Sequence, residues 1–158
     1  RWGTDLFFCF GTTLKQAGSP ERFREIEWGI SEKILRTAKK MGVKRVYLVS
    51  AMGASKTSSI LYSRIKGEIE NLAQELGFES LVILRPSLLL GPRQEVRFGE
   101  GLAQTLFRPL VGLMSGPLKK FRPIEAAQVA RALVKSSQRP QPGVLLLEND
   151  QLFLTESM

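Results

Sequence analysis

Short apolar runs alternate along the chain with longer segments in which apolar residues recur every three or four positions. The runs lie at residues 5–10, 45–50, 81–86 and 143–148. The first two runs are typical of strands buried on both faces of a parallel sheet. Strands that alternate with helices predict right-handed crossovers. We therefore expect an α/β fold, with a parallel doubly wound sheet and flanking helices.

Helical spacing predicts the segments between the runs. Ser19 and Pro20 are typical of a helix start, and we expect that helix to end at Gly42. Its apolar stripe would consist of Phe23, Ile26, Ile30, Ile34, Ala38 and Met41. Further helices are expected at about residues 59–76 and 125–134, with a short one at 99–110 and a tail, 149–158, that frays.

Candidate chemistry lies where the second run meets the second helix. Tyr62 and Lys66 are one helical turn apart, which places their Cβ atoms roughly 5–6 Å from each other on one face. A free phenol has a pKa near 10, and a cation held beside it favours the phenolate. Ser50 ends the preceding strand and could hold a substrate oxygen near both groups. The alternative is an ordinary half-buried tyrosine beside a solvated lysine, because this pair of residues is common by chance.

A small polar turn follows the first run. Gly11, Thr12 and Thr13 come directly after it, and residues at such strand ends often line a ligand crevice in parallel α/β sheets. A simple turn explains the same residues equally well.

The composition argues against several classes of function. The 158 residues contain no histidine, which argues against Ser-His-Asp hydrolases and most zinc enzymes, so no metal is expected. The net charge is +8, but the basic residues are scattered, and we expect solvated helix faces rather than a specific nucleic-acid surface. No apolar run predicts a membrane span. The single cysteine, Cys9, favours a cytoplasmic setting.

Several segments taken together resemble the short-chain dehydrogenase/reductases. Within that family the chain is most similar to the atypical NAD(P)-binding group that includes the Tat-interacting oxidoreductase. The matching segments are CFGTT at 9–13, KQAGS at 15–19, SAMGA at 50–54, SS at 58–59, YSRIKGE at 62–68 and LRPSLLLGPRQE at 84–95. They cover nearly the whole chain in the family's order. The resemblance implies a Rossmann-like domain over residues 1–158.

The resemblance also implies catalytic roles. In that family a tyrosine is the general acid/base, a lysine binds the nicotinamide ribose and favours the phenolate, and a serine orients the substrate carbonyl. Carried over to this sequence, these residues are Tyr62, Lys66 and Ser50. The small-molecule substrate would be a carbonyl compound or an alcohol.

Cofactor contacts are implied on both sides of the sheet edge. On the adenosine side, the resemblance assigns cofactor contacts to Gly11, Thr12 and Thr13. At the nicotinamide it assigns them to Pro86, Ser87 and Leu88, and at a phosphate to Arg93. NADP is expected in preference to NAD, because of the basic charge and the family. The resemblance also allows a homodimer.

One departure separates the chain from the family. Family members open with a strand and a glycine-rich turn that holds the pyrophosphate at a helix N-terminus, and Gly99-Glu100-Gly101 does not supply that motif. The chain is therefore expected to be the C-terminal three quarters of a single domain that lacks the N-terminal strands. Two functions follow as hypotheses: an NAD(P)-dependent oxidoreductase, or a non-catalytic dinucleotide-sensing or protein-interaction module on the same fold.

Overall fold

A parallel sheet lies at the centre of the computed structural model, which describes residues 3–90 and 121–154. The strands in chain order are β1 (Asp5–Phe8), β2 (Arg45–Val49), β3 (Ser80–Arg85), β4 (Leu89–Leu90), β5 (Ile124–Glu125) and β6 (Gly143–Glu148). Four of them form one sheet in the order β1-β2-β3-β6, and every neighbouring pair is parallel. Strands β4 and β5 form a separate parallel pair. The predicted parallel α/β sheet is confirmed.

Helices cover both faces of this sheet. In chain order they are α1 (Leu14–Ala17), α2 (Pro20–Arg24), a π-helical segment (Glu25–Ile30), α3 (Ser31–Lys40), α4 (Leu61–Glu75), α5 (Ala126–Gln138) and α6 (Asn149–Leu154). Residues 20–40, from α2 through the π-helical segment to α3, form one continuous helix, here called the α2–α3 helix. On one face of the sheet, α4 and the α2–α3 helix pack on Val46, Leu48 and Ile83. On the other, α5 and α6 pack on Tyr47 and Leu84. Each buried leucine-sized side chain contributes about 1.5–3 kcal/mol to folding. None of the described helices combines the length and apolarity that a membrane span needs.

Strand β1 differs from its prediction. It pairs only with β2 among the described strands, and Phe7 on it is 46 % exposed while Phe8 is buried. Phe7 keeps one apolar contact, a stacking interaction with Tyr47 at 4.9 Å between ring centroids. The prediction of burial on both faces is wrong here, because an apolar run does not reveal whether other parts of the chain cover both faces of its strand.

The first long helix also corrects its prediction. Residues 20–40 are helical throughout, but the π-helical segment interrupts the α-helical hydrogen bonding. The buried row runs through Phe23, Glu27, Ser31 and Leu35, whereas Ile30 is exposed. The predicted stripe of isoleucines therefore lies beside the buried row. Two of the buried positions carry polar residues, which hides this row from a hydrophobic pattern.

The C-terminal part follows the predicted order, with differences in its two helices. Strand β6 has the predicted bounds, and α5 is longer than expected. Residues 149–154 form helix α6, so the expected fraying there is wrong, and Leu152 is fully buried beneath α5. The predicted helix at 99–110 and the residue Arg93 lie outside the described residues.

Candidate functional site

The loops after β2 and β3 meet at the carboxyl ends of the strands. The hydrogen-bond ladder continues past the strands, since Ser50 N–H donates to Leu84 O at 2.8 Å and Met52 N–H donates to Pro86 O at 2.9 Å. Parallel strands bring their carboxyl ends to one edge, where ligands bind in open α/β sheets. The backbone thus holds Ser50 beside the Pro86–Leu88 stretch.

A cavity of about 230 Å³ lies between these two loops and α4. Five residues predicted from the sequence line it: Ser50, Tyr62, Pro86, Ser87 and Leu88. Ala51, Met52 and Leu89 complete the lining that the described residues provide. This volume is below the roughly 300–1,000 Å³ of whole-ligand sites, so it suits one end of a long ligand.

Tyr62 lies in the first turn of α4, half-buried between the cavity and the helical layer. Its ring packs near Phe23, with 6.1 Å between centroids. Lys66 follows one turn later, with its Nζ atom 5.9 Å from the Tyr62 ring centroid. The Lys66 side chain is only 7 % exposed, so it is not a solvated surface lysine.

Glu27 is the residue of this site that the sequence did not reveal. Its carboxylate is fully buried, and Oε1 lies 2.5 Å from Lys66 Nζ. The second oxygen, Oε2, accepts a hydrogen bond from Thr12 N–H at 2.7 Å. One signal could have pointed to it: Glu27 lies four residues after Phe23, in the row that Leu35 continues.

The turn after β1 closes over this ion pair. A Cβ atom on Gly11 would lie 3.4 Å from both Glu27 Oε1 and Lys66 Nζ, which is tighter than an ordinary van der Waals contact. Thr13 Oγ1 accepts from Gln16 N–H at 3.1 Å and caps α1. The cofactor contacts assigned to Gly11, Thr12 and Thr13 stay predictions, since Thr12 N–H and Thr13 Oγ1 already have partners within the chain.

Two polar side chains at the cavity differ in their bonding. Ser50 Oγ is buried and has no hydrogen-bond partner among the described residues. Ser87 is bound on two sides, because its N–H donates to Asn149 Oδ1 at 2.9 Å and its hydroxyl donates to Arg122 O at 2.6 Å. Buried hydroxyls are normally satisfied, so Ser50 is the hydroxyl that is free to bind a ligand oxygen.

Close packing fixes the loop that connects Ser50 to α4. Ser55 N–H donates to Ser63 O at 3.0 Å, and a Cβ atom on Gly67 would lie 2.3 Å from Lys56 N. Only glycine permits this approach of the loop to the helix. The loop therefore holds the turn of α4 that carries Tyr62 and Lys66.

The described residues provide part of a site for a nicotinamide nucleotide. The orphaned Ser50 hydroxyl and the phenol of Tyr62 border a cavity of ring size, with Lys66 one turn behind. Desolvation raises the pKa of the exposed Cys9 thiol, which disfavours the reactive thiolate. The described residues contain no cluster of three or more His, Cys, Asp or Glu side chains that could hold a metal ion.

Comparison with known proteins gives relatives of similar sequence. The chain is 41 % identical over 139 residues to "Protein FMP52, mitochondrial" of Candida albicans, covering 87 % of this chain and 59 % of that protein. It is 39 % identical over 151 residues to "Protein fmp52, mitochondrial" of Aspergillus niger, covering 95 % and 64 %. The chain thus spans about three fifths of these relatives' length. No protein-family model matches it.

Solved structures of low sequence identity share the fold. A UDP-glucose 4-epimerase of Thermotoga maritima with UDP-glucose superposes with a TM-score of 0.62 at 18 % identity, covering 98 % of this chain and 60 % of that one. The UDP-glucose 4-epimerase of Thermus thermophilus in complex with NAD gives 0.63 at 14 % identity, covering 96 % and 60 %. The chain therefore has the Rossmann-like fold of these proteins.

The relatives correct one prediction. Both fungal proteins are named mitochondrial, so the cytoplasmic location expected from the sequence is wrong. A lone cysteine and the lack of an apolar span do not distinguish the cytoplasm from other reducing compartments, which is why composition led to the wrong compartment.

Proposed function

We propose that the full-length protein is a mitochondrial NAD(P)-dependent oxidoreductase of the short-chain dehydrogenase/reductase type, acting on a carbonyl or alcohol substrate. One observation carries the proposal: Ser50 and Tyr62 line the same cavity at the carboxyl ends of β2 and β3. Lys66 supports it from one turn along α4, with its ammonium facing the Tyr62 ring. The names of the relatives support the mitochondrial location.

Each side chain has a distinct role in this proposal. Ser50 Oγ, which lacks a hydrogen-bond partner among the described residues, donates a hydrogen bond to the substrate oxygen. Tyr62 gives its phenolic proton to that oxygen during reduction and takes it back during oxidation. The Lys66 ammonium stabilises the phenolate that remains and binds the nicotinamide ribose.

The cofactor would be held along the same edge of the sheet. Pro86, Ser87 and Leu88 would contact the nicotinamide, and the turn of Gly11, Thr12 and Thr13 would border the adenosine side. The bound nicotinamide would supply or accept the hydride. The preference for NADP over NAD, inferred from charge and family resemblance, is tested by comparing the dissociation constants of the two nucleotides.

Replacing the phenol tests the reaction directly. Tyr62→Phe should lower kcat for carbonyl reduction by roughly 10²–10⁴-fold, the usual contribution of a general acid. The ring contacts with Phe23 and Lys66 are kept, so the fold and the cofactor affinity should be unchanged. Turnover is measured as NAD(P)H consumption by the full-length protein across a carbonyl panel.

Tyr47→Phe is the matched control, because it removes the hydroxyl of the other of the chain's two tyrosines. Tyr47 packs on the face of the sheet that α5 covers. Its pKa is raised by burial, so its phenol stays protonated. Equal turnover in Tyr62→Phe and Tyr47→Phe would rule out Tyr62 as the proton donor.

A non-catalytic dinucleotide-binding module is the second candidate. It is favoured by the ion pair of Lys66 with Glu27, which engages the ammonium even without a substrate. Cofactor binding without consumption on any carbonyl compound would support it. A homodimer stays a prediction, tested by light scattering on the purified full-length protein.

A further inference from the structure

Lys66 is a charged residue at a buried position, and Glu27 is its ion-pair partner. The lysine side chain is 7 % exposed and the glutamate is fully buried, with 2.5 Å between Nζ and Oε1. Removing an ion from water costs several kcal/mol, which a single close partner only partly repays. A buried pair of this kind is weak evidence for stability, so a different reason for its presence is needed.

Three elements converge on this carboxylate. Glu27 belongs to the π-helical segment, its Oε1 meets Lys66 of α4, and its Oε2 receives Thr12 N–H from the turn after β1 at 2.7 Å. Oε1 is in ion-pair contact with the ammonium, and Oε2 accepts a charge-assisted hydrogen bond, which is shorter and stronger than a neutral one. The carboxylate is therefore fixed in place, and it fixes the ammonium.

The helix is locally deformed at this residue. The π-helical segment spans Glu25–Ile30, and π-turns inside α-helices frequently occur at functional sites. The Ser31 hydroxyl donates to the Glu27 carbonyl and so satisfies backbone that the widened turn disturbs. Glu27 and Ser31 are both fully buried, so the polar side of the deformation faces the protein interior and not the solvent.

We propose that Glu27 is a positioning residue, which holds the Lys66 ammonium against the β1 turn and beside Tyr62. This inference rests on the proposed function in one respect, because the reaction gives the position of the ammonium its purpose. The ion pair itself is a property of the protein without substrate. It therefore has a test of its own.

The first test measures the reactivity of Lys66 in the cofactor-free, full-length protein. Reductive methylation of each lysine is followed by peptide mass spectrometry in the wild type and in Glu27→Gln. Labelling of Lys66 should rise at least about fivefold in the variant, because a buried ammonium that loses its charged partner is no longer held in place. The other lysines serve as internal standards.

Glu68→Gln is the matched control. Glu68 also lies on α4 and pairs with the α2–α3 helix, through Arg24 at 2.9 Å, but it is partly exposed and away from the cavity. The chemical change and the pair of elements are the same, so a general loosening of the helices would appear in both variants. Equal Lys66 labelling in Glu68→Gln and Glu27→Gln would overturn the inference.

The second test measures turnover. Glu27→Gln should lower kcat/KM for the carbonyl substrate roughly 10- to 100-fold, the loss typical of residues that orient a functional group, while Glu68→Gln stays near wild type. Glu27→Asp keeps the charge on a shorter side chain and should give an intermediate loss. If Glu27→Gln does not fold, Glu27→Asp decides, and wild-type labelling and turnover in it would overturn the inference.

The two tests separate the two proposals. If the wild type neither binds NAD(P)H nor consumes it, while Lys66 labelling still rises in Glu27→Gln, the proposed function fails and the positioning role stands. If the wild type turns over and both readouts in Glu27→Gln match those in Glu68→Gln, the function stands and the positioning role fails.

Discussion

Helix α4 carries two ion pairs one turn apart, each through a buried residue of the helix, and they are built differently. Glu70 receives two hydrogen bonds from Arg85, from Nε at 3.0 Å and from Nη2 at 2.6 Å, and Arg85 Nη1 also bonds Glu148 at 3.0 Å. Lys66 instead meets Glu27 as a point charge at one oxygen. One pair is a planar, multiply bonded network, and the other is a single contact one helical turn from Tyr62, which lines the cavity.

The difference indicates what each pair does. The Arg85 network joins α4 to β3 and β6, and its hydrogen bonds to Glu70 raise the pKa of the guanidinium, so it stays charged at any physiological pH. A guanidinium in such a network has little freedom left. An ammonium has three donors, and Lys66 retains donors for a ligand after it binds Glu27. We therefore expect the first pair to hold α4, β3 and β6 together, and we propose that the second serves the candidate site.

The largest effect is expected for Glu70→Gln, which tests whether the two ion pairs act independently. It leaves the partly exposed Arg85 with only Glu148 as a charged partner, so the free energy of unfolding should fall by about 2 kcal/mol, within the range for hydrogen bonds to charged groups. Labelling of Lys66 and affinity for NAD(P)H should not change. Urea denaturation and the labelling assay measure the two effects, and a change in Lys66 labelling would show that the pairs are coupled.

A smaller effect is expected for Arg85→Lys. Lysine keeps the charge but cannot make the paired bonds to Glu70 and the third bond to Glu148 together. The free energy of unfolding should fall by about 1.5 kcal/mol, the value of one charged hydrogen bond. Stability equal to the wild type would mean that charge, and not bidentate geometry, is what this network provides.

The smallest effect is expected at the edge of the sheet, for Asp5→Asn. Hydrogen bonds from Arg45, at 2.6 Å to each oxygen, lower the pKa of Asp5 below its ordinary 3.8. A lowered carboxyl pKa contributes stability above the unfolded value, which is lost as the pH falls through the folded one. Asp5→Asn should therefore cost about 0.5 kcal/mol at neutral pH, as for a half-exposed pair.

The pH dependence completes that measurement. The stability difference between Asp5→Asn and the wild type should shrink as the solution is acidified through the folded-state pKa of Asp5. Urea denaturation at a series of pH values measures it. A difference that stays constant down to acid pH would assign the effect to hydrogen bonding alone.

Local geometry explains why part of this site could be predicted. The spacing of Tyr62 and Lys66 fixes their shared helix face, and the end of β2 fixes Ser50 at the edge of the sheet. Both depend on periodicities that the sequence displays. The bounds of β6 were likewise visible, because an uninterrupted apolar run follows a glycine at its start.

The remainder depends on contacts between distant parts of the chain. Glu27 was not predicted, because its position four residues after Phe23 does not distinguish a buried carboxylate from a solvated one until its partner Lys66 is known. The same holds for Asn149, whose side chain binds the backbone of Ser87 and Arg122. The π-helical segment has no signature in hydrophobic periodicity, and the polar residues in its buried row make the neighbouring isoleucines look like the core-facing stripe.

The widened turn at Glu25–Ile30 also constrains how this chain can be redesigned or recombined. A helical wheel drawn continuously through residues 20–40 loses phase there, so the segments before and after it cannot be registered by one rule. Deleting one residue from this turn would restore regular α-helical geometry. It would also rotate the Glu27 carboxylate away from Lys66. A chimera that exchanges this helix must therefore transfer residues 25–31 as one block, with the serine that supports the turn included.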